Sequence, residues 1–270
     1  MAKKNALRMD PSRTTMLRRT FVREMDRRIE VLARAIRQLV YTDDVLGLKP
    51  RKPLTFNVTP GAWAFETDDR KLVNFNNWFV QQLSMGILQV TQLGKSWAST
   101  YVDSAYKQGR MRAYVDARPN LGKTSLPFYE GSKEEFLQSS FARPEMVSKL
   151  RLLQTRTFED LKGVTSDMAA KMSRVLADGL AAGKDPYAIS RELTKQVTGI
   201  NRVRARVIAR TEIIHAHAEG QLDAFDDLGV ENVGADVEWS TAEDELVCEE
   251  CSMMEGEIFT VAEARGLIPL

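Results

Sequence analysis

The chain has 270 residues, of which 43% are hydrophobic and 28% charged, and its formal net charge is +1. This is ordinary globular composition, and the near-neutral balance gives no argument for nucleic-acid binding by the chain as a whole. No window approaches the roughly 18 apolar residues of a membrane span, no apolar signal core follows the charged N-terminus, and a single cysteine pair does not indicate a secreted disulfide framework. We therefore expect a protein of a reducing cytosol, host or otherwise.

The two ends of the chain carry opposite charge. Residues 1–37 hold eleven basic and four acidic residues, whereas residues 219–270 hold fifteen acidic residues and one basic residue. Ends of such unlike charge indicate different partners. The basic end is either a solvated helix face or a contact for DNA, RNA or an acidic protein surface. The candidate residues for partner or nucleic-acid binding are Arg13, Arg18, Arg19, Arg23, Arg27 and Arg28.

The basic end is also the first predicted helix. Asp10-Pro11 is typical of an N-cap followed by proline at the first helical position, and the helix is expected to run to about Tyr41. Apolar residues recur along it at intervals of three and four, namely Val22, Met25, Ile29, Leu32, Ile36 and Leu39. This heptad-like stripe requires a partner helix, in the same chain or in another protein.

The middle of the chain predicts a succession of helices. After a connector with prolines at positions 50, 53 and 60, helical patterns cover residues 67–118, 132–141, 144–160, 165–182, 185–198 and 201–228. The spacing of Ser132 and Glu135 is that of a capping box, and breaks are expected at Gly163 and Gly199. The last three helices are typical of a compact antiparallel unit.

The C-terminal segment predicts a different structure. Residues 235–240 and 257–260 have strand-like patterns, with a turn at Gly256 before the second and one helical turn after it, from Val261 to Gly266. The predicted fold is mostly α: an elongated N-terminal helical region, then a helical unit and a small α+β C-terminal module. The predicted domains are a basic long helix at residues 1–47, a helical domain at 48–163 and a third domain at 164–270.

The only two cysteines have metal-ligand spacing. Cys248 and Cys251 are expected in a tight turn between the two strands, where two thiolates supply half of a tetrahedral zinc site. Zinc is therefore the candidate cofactor. His215 and His217 point to different faces of a helix, so they cannot both ligate one ion. One of them could reach the metal, and otherwise each is a surface or packing histidine. A redox function lacks its usual βαβ context.

Templates for catalysis are largely missing. There is no Walker or Rossmann phosphate loop and no GxSxG elbow, and the acidic run at residues 243–250 would need opposed carboxylates to form a divalent-metal nuclease site. Arg210 and Glu212 are interpreted as residues that pin their helix to the strand layer by salt bridges or hydrogen bonds. We expect no enzymatic activity.

Five landmarks occur in order: Ile208-Ala-Arg-Thr-Glu212, Trp239, Asp244, Cys248-x-x-Cys251 and Gly256. This series resembles the Mu F-like phage head morphogenesis family of minor capsid proteins, over about residues 165–270. The motif residues outside the cysteine pair are Arg210, Thr211, Glu212, Trp239, Asp244 and Gly256. The resemblance implies a further Pro-His-x-x-Cys-type element that completes a metal site with the cysteines. The sequence reaches Pro269-Leu270 where that element would begin.

The resemblance also implies a function. It implies a low-copy structural protein of a tailed phage that binds the portal protein, the major capsid or scaffold protein and the packaged DNA, with no membrane partner. The expected location is the virion, in the capsid interior or at the portal vertex, and the host cytoplasm during assembly. The alternatives are a zinc-dependent DNA-binding or nuclease-like protein delivered with the phage genome, and a cellular helical adaptor.

Overall fold

The computed structural model describes residues 10–47, 69–90, 95–120, 132–230, 235–242 and 247–267. Its elements are α1 (Thr15–Arg37), a π-helical turn (Gln38–Thr42), α2 (Asp69–Gly86), α3 (Ser99–Asn120), α4 (Lys133–Ala142), α5 (Pro144–Ala181), α6 (Pro186–Asp227), β1 (Val237–Glu238), α7 (Glu249–Met253), β2 (Ile258–Phe259) and α8 (Val261–Leu267). The predicted mostly α fold with a small α+β C-terminal module is confirmed. None of the described helices is long and apolar enough to span a membrane.

The chain divides into two compact units. The first contains residues 1–20, 98–157 and 209–270, and the second contains residues 21–97 and 158–208. Helices α1, α5 and α6 each contribute one part to each unit. The predicted domain boundary between residues 163 and 164 therefore lies inside α5.

The first helix begins later than predicted. The carboxylate of Asp10 accepts hydrogen bonds from the Ser12 amide at 3.0 Å and from the Thr15 hydroxyl at 2.8 Å. Arg13 has a φ of +52°, a left-handed conformation that a helix cannot contain. Because Asp10 bonds to these local groups, it stabilises a turn instead of capping a helix at Pro11. The expected start at Pro11 is wrong, and α1 starts at Thr15.

The apolar stripe of α1 is buried in the second unit. Met25, Ile29, Leu32 and Ile36 are buried as the spacing predicts. Phe21 and Val40 occupy the ends of the stripe, where Val22 and Leu39 were expected. Across this unit, the amide of Asn201 donates to Asp26 at 2.6 Å. The chain itself therefore covers the stripe, and no second protein is required for it.

The breaks predicted at two glycines are wrong. Helix α5 continues through Gly163 and α6 continues through Gly199. A glycine costs about 1 kcal/mol inside a helix, and burial of apolar residues on both sides, such as Leu161 and Val164 around Gly163, offsets that cost. Gly183 differs because it has a φ of +60°, which separates α5 from α6.

Within the first unit, the C-terminal module, residues 235–267, packs on the helices through one apolar cluster. Its members come from α3, α4, the end of α6, the turn that follows α6, and α8: Ala113, Tyr114, Ala117, Phe136, Leu222, Ala224, Leu228, Val230, Val261 and Ala264. The predicted strands pair antiparallel, with Val237 opposite Phe259 and Glu238 opposite Ile258. Val237 and Phe259 pack against the cluster. Side chains alternate between the two faces of a strand, so Glu238 and Ile258 lie on the outer face.

Candidate functional site

The two cysteines lie at the start of α7, in a short helix where a tight turn was expected. Cys248 is the N-cap residue, and its sulfur accepts a hydrogen bond from the Cys251 amide at 3.4 Å. Cys248 is exposed and Cys251 is half-buried, and both are free thiols. Hydrogen bonds from the thiol and then the amide of Cys251 lower the pKa of the Cys248 thiol. Burial, followed by the contact with Cys248, raises the pKa of Cys251 to about 11.

The chemistry of this pair fits two positions of a tetrahedral zinc site. Within the described ranges, no group of three or more histidine, cysteine, aspartate or glutamate side chains is placed to hold an ion. Asp244, one of the predicted motif residues, lies outside the described residues. The cysteines would therefore supply two ligands, and zinc binding stays a prediction.

The two histidines occupy buried positions on α6. Nε2 of His215 lies 3.2 Å from a guanidinium nitrogen of Arg156. Burial is the main reason that the pKa of each histidine falls to about 4. The charge of Arg156 lowers the pKa of His215 further. Both imidazoles are therefore neutral at pH 7, and each is packed inside the first unit.

The Arg-Thr-Glu motif forms part of the contact between α5 and α6. Glu212 is only 2% exposed; it accepts a hydrogen bond from Arg156 at 3.1 Å and one from the Thr157 hydroxyl at 3.5 Å. Arg210 and Thr211 are half-buried on the same helix. The positive charge of Arg210 opposes the rise in the pKa of Cys251. Arg210 of α6 is thus close enough to the Cys251 thiol of α7 to influence its pKa.

Trp239 and Gly256 hold the base of the loop that contains α7. The Trp239 amide donates to the Glu257 carbonyl at 2.8 Å, and the Gly256 amide donates to the Trp239 carbonyl at 2.9 Å. Gly256 has a φ of +78°, which glycine adopts without a steric penalty. These two motif residues therefore extend the β1–β2 pairing toward the cysteines.

A ladder of charged pairs joins α5 to α6 within the first unit. Arg156 binds Glu212, Lys149 binds Glu219 at 2.6 Å, and Arg143, the residue directly before α5, binds Asp227 at 2.6 Å. From one pair to the next, the residue number of the cation falls while that of the α6 carboxylate rises. This is the pairing order of two antiparallel helices. Sequence reasoning did not find this ladder, although the seven-residue spacings from 149 to 156 and from 212 to 219 were its visible signal.

Asp223 of α6 is bonded to three other helices of the first unit. It accepts hydrogen bonds from the Tyr106 hydroxyl at 2.6 Å, from Lys149 at 2.6 Å and from Arg265 of α8 at 3.0 Å. Arg265 also pairs with Glu219 and Asp226. In α3, the buried Arg110 binds Asp227. These bonds connect α3, α5, α6 and α8 around a polar centre.

The six arginines proposed for partner binding have different environments. Arg18 binds the Asp10 carboxylate. Arg28 bonds to Glu24 at 2.8 Å and to the Gly86 carbonyl at 2.6 Å, and it lies over the Trp97 ring. Arg27 is exposed and pairs with Glu24. Arg13, Arg19 and Arg23 are also exposed.

Comparison with known proteins gives one match. The model of the family described as Phage Mu protein F like protein matches residues 170–267. No curated protein and no solved structure matches the chain significantly. The match covers Arg210, Thr211, Glu212, Trp239, both cysteines and Gly256. It confirms that the C-terminal region, from within α5 to the end of α8, is similar to Phage Mu protein F like protein.

Proposed function

We propose that this protein is a minor head morphogenesis protein of a tailed phage, acting by binding other head components and without catalysis. The observation that carries the proposal is the match of residues 170–267 to the Phage Mu protein F like family. A protein of this kind resides in the virion and contacts capsid components. The finer assignment is that it binds the portal protein, and the major capsid or scaffold protein, during procapsid assembly in the host cytoplasm.

We assign the portal contact to the accessible arginines of the N-terminal segment. Arg19, Arg23 and Arg27 follow one another at intervals of four on α1 and are exposed, so they lie on one side of the helix. The opposite stripe is buried. This arrangement supports a positive surface that is available to an acidic protein surface or to DNA phosphates.

In our proposal the Arg-Thr-Glu motif is structural and takes no part in a reaction. Glu212 is held by Arg156 and Thr157, and His215 is neutral at pH 7 because its pKa is lowered to about 4. These contacts stabilise the packing of α5 on α6. In our proposal the cysteine pair likewise maintains the shape of the C-terminal module, with zinc as the candidate ion.

The test of the portal contact uses surface substitutions. Removing residues 1–41 would also remove Phe21, Met25, Ile29 and Ile36, which are fully or nearly fully buried, so loss of incorporation would follow from unfolding alone. We therefore choose the triple variant Arg19→Ala, Arg23→Ala and Arg27→Ala. The matched control is Lys171→Ala, Arg174→Ala and Arg191→Ala, which removes the same charge from exposed positions of α5 and α6.

Incorporation into phage heads is measured by quantitative mass spectrometry of purified heads after complementation. We expect the α1 triple variant to be depleted by about tenfold and the control triple to be incorporated like the unmodified protein. Equal incorporation of all three proteins would rule out the arginine contact. Absence of the unmodified protein from heads would contradict the head assignment itself.

The DNA contact is tested separately with the same two triples. Binding of the unmodified protein to a DNA fragment should weaken as salt rises, because phosphate contacts release counterions. At one salt concentration, the α1 triple variant should bind the fragment more weakly than the unmodified protein, and the control triple should bind it equally well. Cleavage of the DNA in the presence of a divalent metal would instead support a nuclease.

A further inference from the structure

Two large apolar side chains of the C-terminal module remain in contact with solvent. Met253 and Ile258 are each 69% exposed, on either side of the Gly256 turn. Ile258 is on the outer face of the β1–β2 pair, opposite Glu238. The exposed acids nearest to them in the chain are Glu249, Glu250 and Glu257. Met253, Ile258 and the four exposed glutamates Glu238, Glu249, Glu250 and Glu257 are called the acidic patch below.

A second exposed surface has the complementary composition. Val203 and Val207 of α6 are 65% and 53% exposed and lie one helical turn apart. Lys195 and Arg206 are exposed on the same side of this helix, because positions three, four and eight residues apart share a face. Lys195, Val203, Arg206 and Val207 are called the basic face. Arg204 is excluded from this set because it pairs with Asp167 at 3.3 Å.

We propose that this protein self-associates head to tail, with the basic face of one copy docked on the acidic patch of a second copy. Each surface presents two apolar side chains among charges of a single sign, and the two signs are opposite. Because scattered exposed apolar residues are ordinary, it is the opposite charge of the two surfaces that selects the partner and its orientation. Every copy carries both surfaces, and both are exposed in the single chain. A second copy therefore offers a complementary partner for either surface.

The two contacting surfaces are different, which determines the type of assembly. A heterologous contact of this kind leaves one basic face and one acidic patch free at the ends of every dimer. It continues into a ring if the rotation closes and into an open chain if it does not. The acidic patch and the basic face both lie within residues 170–267, the matched region. Association of this kind requires neither the head function nor the α1 arginines.

The test is sedimentation of the purified full-length protein at low and high salt. We expect association that grows with concentration at about 50 mM NaCl and weakens by about tenfold or more at about 500 mM NaCl, where exposed charges are screened. Two charge-reversed variants are compared: Lys195→Glu with Arg206→Glu, and Glu238→Lys with Glu250→Lys. Each alone should associate at least about tenfold more weakly, and their equimolar mixture should associate again.

Two controls separate the docking contact from general effects. Lys171→Glu with Arg174→Glu makes the same charge change at exposed positions of α5 and should leave association unchanged. Ile258→Ser removes exposed apolar surface without changing charge and should weaken association, while circular dichroism confirms that each variant is folded. A protein that stays monomeric at low salt, or a mixture of the two reversed variants that fails to associate, would overturn the proposal.

Discussion

Gly109 and Gly220 allow α3 and α6 to touch backbone to backbone. A Cβ atom on Gly109 would lie 1.9 Å from the carbonyl oxygen of His217, and one on Gly220 would lie 2.2 Å from the carbonyl oxygen of Tyr106. The atoms in the way are backbone, so no side-chain rotation can relieve the clash. Any residue with a side chain at either position would therefore force the helices apart.

We expect Gly109→Ala to lower the free energy of unfolding by about 3 kcal/mol, the upper range for an overpacked core. The matched substitution is Gly163→Ala, because Gly163 also lies inside a helix but has nothing within 4 Å of the added carbon. At Gly163, the higher helix propensity of alanine should raise the free energy of unfolding by roughly 0.5–1 kcal/mol. Urea unfolding followed by circular dichroism measures both, and equal effects would disprove the close crossing.

The two cysteines should differ in reactivity. The Cys248 thiol is exposed and its pKa is lowered by the Cys251 thiol and amide, whereas burial raises the pKa of Cys251 to about 11. Because the thiolate is the nucleophile, we expect iodoacetamide at about pH 8 to label Cys248 more than about tenfold faster than Cys251. Peptide mapping by mass spectrometry gives the two rates. Faster labelling of Cys251 would contradict the N-cap geometry of Cys248.

At the scale of the helices, Asp223 of α6 holds α5 and α8 through its ion pairs with Lys149 and Arg265. Burial alone would raise the pKa of this carboxyl, but hydrogen bonds from Lys149 and Tyr106 and the charges of Lys149 and Arg265 lower it below its ordinary value. Replacing Asp223 by asparagine leaves these cations without their shared carboxylate. We expect the variant to lose about 2 kcal/mol at neutral pH, since both cations remain partly solvated.

The pH dependence of that loss has a definite sign. A carboxyl with a lowered pKa in the folded state contributes stability above its unfolded pKa, and this stability disappears as pH falls through the folded pKa. The difference in melting temperature between the unmodified protein and Asp223→Asn should thus be largest near pH 7 and shrink below about pH 4. Asp226→Asn is the control: Asp226 also pairs with Arg265 but is 49% exposed, so its effect should be within about 0.5 kcal/mol. A constant difference across pH would exclude the charge effect.

For the molecule as a whole, buried histidines predict sensitivity to mild acid. The pKa values of His215 and His217 fall to about 4 from an ordinary 6.5, mainly because both are buried. The unfolded chain therefore binds more protons between these values, and stability must fall as pH drops from 6.5 toward 4. We expect each histidine to account for a loss on the order of 2 kcal/mol over this range.

The double variant His215→Gln and His217→Gln isolates this effect. Its melting temperature should change less than that of the unmodified protein between pH 6.5 and 4, whereas the decline below pH 4, where carboxyls titrate, should persist in both. If the melting temperatures of both proteins fell by the same amount between pH 6.5 and 4, the histidines would not be the cause of the acid sensitivity.

Much of the structure was predictable because it follows from local pattern. The spacing of Met25, Ile29 and Ile36 predicted the buried stripe of α1, and the capping box of Ser132 and Glu135 forms as expected, with the Ser132 amide donating to Glu135 at 2.7 Å. The two strands and the final helical turn were also predicted correctly. These features depend on residues within a few positions of one another, so the sequence alone contains them.

The errors occurred where burial or side-chain hydrogen bonds outweighed a simple local pattern. Gly163 and Gly199 do not end their helices, because burial on both sides outweighs a local preference. Proline after Asp10 does not start α1, because the Asp10 carboxylate bonds to Ser12 and Thr15. Two of the six predicted surface arginines, Arg18 and Arg28, are engaged in bonds inside their own units.

By itself, the sequence determined the helical class, the position of the small sheet and the order of landmarks that matches Phage Mu protein F like protein over residues 170–267. Only the tertiary structure decided which charges pair, where α3 and α6 touch through glycine, and which arginines and apolar side chains stay exposed. The physical reason is that periodicity specifies one helix at a time. The partner of each charge depends instead on which helices face each other and in what register.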